Sequence, residues 1–343
     1  MKAVRFHQHG GSDVLRYEDV PEPEIGPTDV LVRVRACALN HLDLWLRRGL
    51  PSLSIPLPRI VGSDIAGEIA EIGSAVTRVK VGERVLVSPG LSCGQCSACL
   101  NGRDNFCREY EVIGSYRSNG GYAEYVKVPE VNIVPIPDHI SFEEAAAFPL
   151  VFLTAWHMLV TRAGVRPGET VLVLAAGSGV GMAAIQIAKL FGARVLATAG
   201  TDAKLQKAKE LGADEVINHS TQDLLQEVKR LTDRRGVDIV IEHVGTAVFE
   251  KCILSLAPGG RLVTCGVTSG YETRLDIRYL FSRQLSVLGS FMGSKGELLE
   301  AFAFFVHGRL KPVIDRAFPL KEAAAAHRLM EERGHFGKIL LLP

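Results

Sequence analysis

Val171-Leu172-Val173-Leu174-Ala175-Ala176-Gly177-Ser178-Gly179-Val180-Gly181, followed by Met182-Ala183-Ala184-Ile185-Gln186, reads as an apolar strand, a glycine-rich turn and the start of a helix. A strand without polar interruptions needs both faces covered, which a parallel sheet between helices provides. Glycines permit a tight turn and close backbone approach. Helix N-terminal N–H groups can then meet a pyrophosphate whose charge the helix dipole favours. The positions of the G-x-G-x-x-G fingerprint carry Ala176, Ser178 and Gly181, so the reading rests on strand, turn and helix together. A tight turn without a ligand is the plainer alternative.

Downstream the alternation repeats. Arg194 to Thr198 precedes Asp202 to Leu211, Glu215 to Ile217 precedes Leu224 to Leu231, and Val237 to Glu242 precedes Phe249 to Leu256, with Arg261 to Cys265 beyond. About six strands of a doubly wound α/β sheet are expected. Upstream the period changes: Val30 to Ala36, Ile65 to Ile72, Arg84 to Val87 and Tyr122 to Val128 are short runs between turn residues, the mark of a β-rich domain. Ser141 with Glu144 three residues on is a capping-box pattern that opens a helix through Ala147. The tail from Leu298 holds two helical runs and a last strand, Lys338 to Leu342, and is long enough to return to the first domain. The expected organisation is a β-rich catalytic domain over 1–147, a dinucleotide-binding domain over 148–288 and a return segment over 289–343.

A chain of 343 residues exceeds one ordinary hydrophobic core, so two domains are expected. With 47% hydrophobic and 22% charged residues it has the make-up of a globular enzyme, and no apolar run reaches membrane-spanning length. A net charge of +1 gives no electrostatic case for nucleic acid. The opening residues, Met1-Lys2-Ala3-Val4-Arg5-Phe6, lack a secretion signal's apolar stretch, and a cytoplasmic location is expected.

Cys93, Cys96, Cys99 and Cys107 follow the order C-x2-C-x2-C-x7-C. Four thiolates close a zinc tetrahedron and leave no position for substrate or activated water, so one structural zinc is expected. The residues between them are almost free of apolar side chains, and a metal would replace the missing core. Disulfides would need an oxidising compartment.

A strand that ends in Asp or Glu about 20 residues past the glycines bonds the ribose hydroxyls of NAD. Here the second strand ends Ala197-Thr198-Ala199-Gly200-Thr201, without a carboxylate, and Lys204 follows. Hydroxyls and a cation suit a 2′-phosphate, so NADP is favoured; Asp202, just beyond, keeps NAD open.

With the cysteine lobe, Gly62-Ser63-Asp64-Ile65-Ala66-Gly67-Glu68, Gly121-Tyr122-Ala123-Glu124-Tyr125-Val126 and the glycine turn, the chain resembles the medium-chain dehydrogenase/reductases, which include zinc alcohol dehydrogenases and quinone oxidoreductases. The resemblance covers nearly the whole length. It implies a GroES-like catalytic domain interrupted by a Rossmann domain, an active site in the cleft between them, a small-molecule substrate and a homodimer or homotetramer. It also implies cofactor contacts at Thr154, at Ala176, Gly177, Ser178, Gly179, Val180 and Gly181, and at Val244, Gly245, Gly266, Val267, Ser290 and Met292.

The family's catalytic zinc ligands align with Asn40, Ser63 and Leu150. Leucine cannot bind zinc, and neutral Asn and Ser are poor substitutes for thiolate and imidazole. Without a Lewis acid, alcohol oxidation loses stabilisation of its developing alkoxide. Hydride transfer to an electron-poor quinone, enone or enoyl thioester needs less help. Asn40 is therefore expected to donate to the acceptor oxygen, with His41 and Asp43 as candidate proton carriers. The rivals are an alcohol dehydrogenase that holds zinc through His41, Asp43, Asp64 or His157, and a nucleotide-binding protein without catalysis. Pocket walls fall in 45–53 and 110–118, where sequence alone does not give the acceptor.

Overall fold

The computed structural model describes residues 1–50 and 54–343; part of the first expected pocket wall, 51–53, lies outside them. Two compact units are present, one of Met1–Leu150, Ser294–Leu299 and Lys311–Pro343, the other of Val151–Gly293 and Glu300–Leu310. The return segment expected over 289–343 is thus shared between units. Trp156 explains part of this, since its Nε1 donates to Glu300 (3.2 Å) and its ring lies 5.6 Å from Phe304.

The second unit is a six-stranded parallel sheet with the order Glu215–Asn218, Arg194–Ala199, Thr170–Val173, Val237–Glu242, Leu256–Thr264, Ser286–Gly289. Numbered within the unit this is 3-2-1-4-5-6, the doubly wound Rossmann order. Val171, Leu172 and Val173 are wholly buried, as their unbroken apolar run requires; each contributes about 1.5–3 kcal/mol by leaving water. Helix Gly179–Leu190 begins directly after the turn.

The first unit is built on a seven-stranded sheet. Its spine runs Ile314–Pro319, Lys338–Leu342, Asp29–Ala38, Asp64–Ile72, Arg84–Val87, Ile133–Pro135, and Tyr125–Pro129 also pairs with Asp29–Ala38. The central strand Asp29–Ala38 lies antiparallel to Lys338–Leu342 and to Asp64–Ile72, with Leu340 opposite Ala38 and Ala38 opposite Asp64. Lys338 and Asp64 each begin a strand where the central strand ends, so both arrive at one end of the sheet beside Asn40. Helix Phe142–Ala147 has the capping box read from Ser141 and Glu144.

Candidate functional site

The phosphate turn is held by its neighbours. Ala175 sits at φ 45°, a left-handed conformation uncommon for a residue with a Cβ, and its N–H donates to Thr198 Oγ1 (3.2 Å). Ala176 N donates to Thr198 O (2.8 Å). A Cβ on Gly181 would lie 2.4 Å from Ala175 O, so glycine is what lets the helix approach the strand end. Ser178 caps the helix by accepting from Gly181 N (2.9 Å).

The turn follows strand 1 of the 3-2-1-4-5-6 order, and the next strand in space, Val237–Glu242, ends beside it. His243 Nε2 lies 3.1 Å from Leu174 O and 3.5 Å from Ser178 Oγ. This is the switch point of the sheet, where open α/β folds bind ligands beyond strand carboxyl ends. Glu242, wholly buried, orients the neighbouring loop: it accepts from Val244 N (2.6 Å), Gly245 N (2.5 Å) and Thr264 Oγ1 (2.7 Å). Gly245, at φ 95°, comes so close to Gly270 that a Cβ would lie 2.3 Å from its carbonyl oxygen. Gly266 and Val267 follow strand Leu256–Thr264. Ser290 N donates to Thr264 O (2.9 Å), the Ser290 hydroxyl is buried with no partner among the described residues, and Met292 is left-handed at φ 52°. Thr154 is 6% exposed in helix Pro149–Trp156.

At the end of strand 2 the arrangement differs in part from the sequence reading. Thr198 is 2% exposed and its oxygen holds the turn, so it shapes the phosphate loop rather than offering an open face. Thr201 caps helix Asp202–Glu210 through Lys204 N, while Asp202 accepts from Asn218 Nδ2 (2.8 Å). Gly200 is bordered by His219 and Ser220, whose hydroxyl donates to Gly200 O (3.0 Å). These two residues, on the loop after strand 3, were not found from sequence, where nothing ties them to Gly200.

In the first unit, Asn40, Asp43 and Asp64 belong to one buried network. Asn40 Nδ2 donates to Asp64 Oδ2 (3.0 Å), while Lys338 Nζ donates to Asn40 Oδ1 (2.7 Å), Leu39 O (2.7 Å) and Asp64 Oδ2 (2.9 Å). Leu150 N donates to Asp64 Oδ1 (2.8 Å). Asn40, Ser63 and Leu150, the three aligned zinc positions, are therefore gathered around Asp64: two by hydrogen bonds and Ser63 as its chain neighbour. Their donor set is an amide oxygen facing an ammonium, a hydroxyl and a hydrocarbon, which does not suit zinc.

Asp43 lies wholly inside. It accepts from Asn40 N (2.8 Å), Gly62 N (3.1 Å) and Tyr122 OH (3.2 Å), three donors that suit an ionised carboxylate, although burial raises its pKa to about 6. Arg47 Nη1 lies 3.0 Å from His327 Nδ1, and His327 Nε2 lies 3.0 Å from Tyr122 OH. An arginine only donates, so His327 carries its proton on Nε2 and the donors run in one direction, Arg47 to His327 to Tyr122 to Asp43. Burial, reinforced by the charges of Arg47 and Arg48, holds His327 down to about 3 and so neutral. Asp43 therefore braces the turn at Asn40, with no titratable proton source at the far end of its chain. His41 is half-buried at the start of helix His41–Arg48, its ring 6.4 Å from Trp45.

The four cysteines converge. Their sulfur atoms all lie within 4.8 Å of one another, with Cys93–Cys107 at 3.5 Å, Cys96–Cys99 at 3.6 Å and Cys93–Cys99 at 3.9 Å. A zinc tetrahedron with bonds of about 2.3 Å has edges of about 3.8 Å, so the cluster fits. Cys107 Sγ accepts from Cys93 N (3.5 Å) and Glu109 N (3.4 Å), and backbone donors at Gln95 and Cys96 hold the Cys93 thiol down to about 6. Among the described residues this is the one cluster of three or more Cys, His, Asp or Glu groups placed to share an ion.

A Rossmann crevice with a phosphate turn, joined in one chain to a β-rich unit with a tetracysteine lobe, defines an NAD(P)-dependent oxidoreductase. Residues 26–138 match the alcohol dehydrogenase GroES-like domain and residues 179–307 the zinc-binding dehydrogenase family. The chain is 31% identical to human quinone oxidoreductase over 350 residues, covering 100% of this chain and 98% of that protein. A solved structure of an NAD-dependent alcohol dehydrogenase superposes with TM-score 0.96 at 51% identity, covering 100% of both chains. A crotonyl-CoA carboxylase/reductase superposes with TM-score 0.92 at 30% identity, covering 100% of this chain and 88% of that one. The chain belongs to the medium-chain dehydrogenase/reductase superfamily, and it acts on a small-molecule substrate.

Proposed function

We propose that the protein reduces an activated carbonyl acceptor, a quinone, enone or enoyl thioester, without a catalytic zinc. The observation that carries this reading is the Lys338 ammonium 2.7 Å from Asn40 Oδ1 and 2.9 Å from Asp64 Oδ2, a fixed cation against Asn40, which the family resemblance aligns with a catalytic zinc ligand. A second cation in this place would face repulsion and an incomplete donor set. The human quinone oxidoreductase and the crotonyl-CoA carboxylase/reductase are named for such acceptors. A reduced nicotinamide supplies the hydride when bound, and Asn40 is the group of this chain that we assign to the acceptor oxygen, an electrostatic role. One zinc per chain, held by Cys93, Cys96, Cys99 and Cys107, has a structural role in this reading.

NADP is the proposed cofactor. No carboxylate ends strand 2, Asp202 is engaged by Asn218, and Gly200 is bordered by His219 and Ser220 and followed by Thr201 and Lys204, a set of donors that supports a 2′-phosphate. The 51%-identical structure bears the name NAD-dependent alcohol dehydrogenase, which favours a second reading: NAD-linked interconversion of an alcohol and its carbonyl. One screen separates them. With NADPH and NADH each offered against quinones, enones, enoyl thioesters and saturated aldehydes, NADPH with one of the first three should give kcat/KM at least tenfold above the alternatives, about 1.4 kcal/mol of transition-state preference. Turnover confined to NAD with simple alcohols sinks the proposal.

We further propose a homodimer or homotetramer that continues the six-stranded sheet through its edge strand, Ser286–Gly289. Val287, Phe281 and Ile277 are 37%, 72% and 68% exposed on or beside that edge. An unpaired apolar edge seeks a partner strand. Val287→Lys with Phe281→Glu should shift sedimentation to the monomer; a wild type that sediments as a monomer contradicts the assignment.

A further inference from the structure

The end of the central sheet strand in the first unit holds two polar groups whose hydrogen-bonding capacity the fold leaves unspent. Ser63 is 1% exposed, and its hydroxyl has no hydrogen-bond partner among the described residues. Buried polar atoms are rarely left so, and each exception calls for an explanation. Asn40 is 6% exposed, and its amide orientation is forced from two sides: the Lys338 ammonium can only donate and the Asp64 carboxylate only accepts. Oδ1 must therefore face Lys338 and Nδ2 must face Asp64. One Nδ2–H is spent on Asp64, and the second has no acceptor among the described residues.

The segment Gly62-Ser63-Asp64 is clamped to the Asn40 turn on both sides of Ser63. Gly62 N donates to Asp43 Oδ1 (3.1 Å), Asp43 Oδ2 accepts from Asn40 N (2.8 Å), and Asp64 Oδ2 accepts from Asn40 Nδ2 (3.0 Å). Ser63 is thus held at the same turn as the Asn40 amide. Lys338 is 2% exposed, and its three acceptors, Leu39 O, Asn40 Oδ1 and Asp64 Oδ2, use all three of its N–H bonds. It has nothing left for a substrate and acts through Asn40.

We propose that Lys338 is a positioning residue whose ammonium fixes the Asn40 amide, so that the second Nδ2–H and the Ser63 hydroxyl together receive the carbonyl oxygen of the acceptor. This rests on the carbonyl-reducing function proposed above and adds Ser63 and Lys338 to it. For an enone, hydride from the reduced nicotinamide forms a C–H bond at the β-carbon, the C=C pair moves to the Cα–C bond, and the C=O pair moves onto oxygen. Asn40 and Ser63 then hold an enolate oxygen, and a solvent proton completes the reduced product. Two preorganised donors in a water-poor site stabilise the oxygen most when its charge develops, so their removal falls on kcat.

The test compares wild type, Ser63→Ala, Lys338→Met and Lys338→Arg with NADPH and the best carbonyl acceptor. Ser63→Ala removes an orphan hydroxyl, so melting temperature should hold or rise while kcat falls roughly tenfold to 100-fold with KM little changed. Lys338→Met should lower kcat by about 100-fold, and Lys338→Arg, which keeps a donor cation, should restore at least a tenth of wild-type kcat. A Lys338→Met protein that does not fold leaves the Ser63→Ala and Lys338→Arg results to decide. Wild-type kcat in Ser63→Ala, or equal losses in Lys338→Arg and Lys338→Met, overturns the proposal. A wild type that reduces only saturated aldehydes overturns the acceptor class alone, and the variants are then read on the aldehyde oxygen. A wild type that reduces no carbonyl overturns both.

Discussion

Cys107→Ser should empty the tetracysteine lobe of zinc and open it locally. Metal analysis should fall from one zinc per chain to near none, and limited proteolysis should begin within residues 93–107. The expectation follows from how little else holds the segment. Leu100 and Phe106, its larger apolar residues, are 75% and 53% exposed and supply no core. Its principal non-metal tie is Asp104, whose carboxylate accepts from Lys295 N (3.0 Å) and Lys295 Nζ (3.1 Å). A structural zinc contributes on the order of 10 kcal/mol to small domains that depend on it, far more than one such ion pair. Serine is nearly isosteric with cysteine but offers no thiolate, and it leaves the N–H groups of Cys93 and Glu109 with a weaker acceptor. Cys252→Ala, at a buried cysteine in the second unit, serves as the comparison and should leave zinc content unchanged. Retention of a tightly bound zinc by Cys107→Ser, or an intact protease-resistant lobe in metal-free wild type, contradicts the assignment.

What sequence reveals here depends on how far apart the cooperating residues lie in the chain. The phosphate turn is contiguous: strand, glycines and helix cap fall between Thr170 and Leu190, so local rules suffice. The cysteine cluster is also local. By contrast, Lys338 meets Asp64 across 274 residues and His327 meets Arg47 across 280, and no periodicity shows which buried polar groups will pair. Lys338 reads in sequence as an ordinary residue at the start of a strand; the antiparallel register beside Ala38 brings it to Asn40. Thr198 shows a different limit. In a strand covered on both faces, alternation does not distinguish a side chain that holds a neighbouring loop from one that faces a ligand. The split of the return segment was hidden likewise, because helix Lys295–Val306 is one continuous element while its residues belong to both units.

Asp64→Asn should destabilise the first unit strongly, and pairing it with Lys338→Met should recover much of the loss without restoring turnover. In the wild type a carboxylate with no exposed side chain meets an ammonium with 2% exposure at 2.9 Å. The charges cancel inside, and every acceptor and donor of the pair is used. Removing the carboxylate's charge leaves the ammonium buried among Leu39 O, Asn40 Oδ1 and a neutral amide, an imbalance that costs about 3–5 kcal/mol. For a unit of this size that corresponds to roughly 6–20 °C in melting temperature. In the double variant no charge remains to be compensated, and methionine fills the lysine's apolar volume. A positive coupling of at least ~2 kcal/mol is therefore expected between the two substitutions. Turnover should behave differently, because both variants lose the ammonium–amide–carboxylate geometry that orients Asn40. Stability that returns while kcat stays low separates a brace for the fold from a brace for the reacting oxygen. If Asp64→Asn moves the melting temperature by less than about 2 °C, the pair is not holding that end of the sheet. If the double variant regains wild-type kcat, the Asn40 amide finds its orientation without either charge.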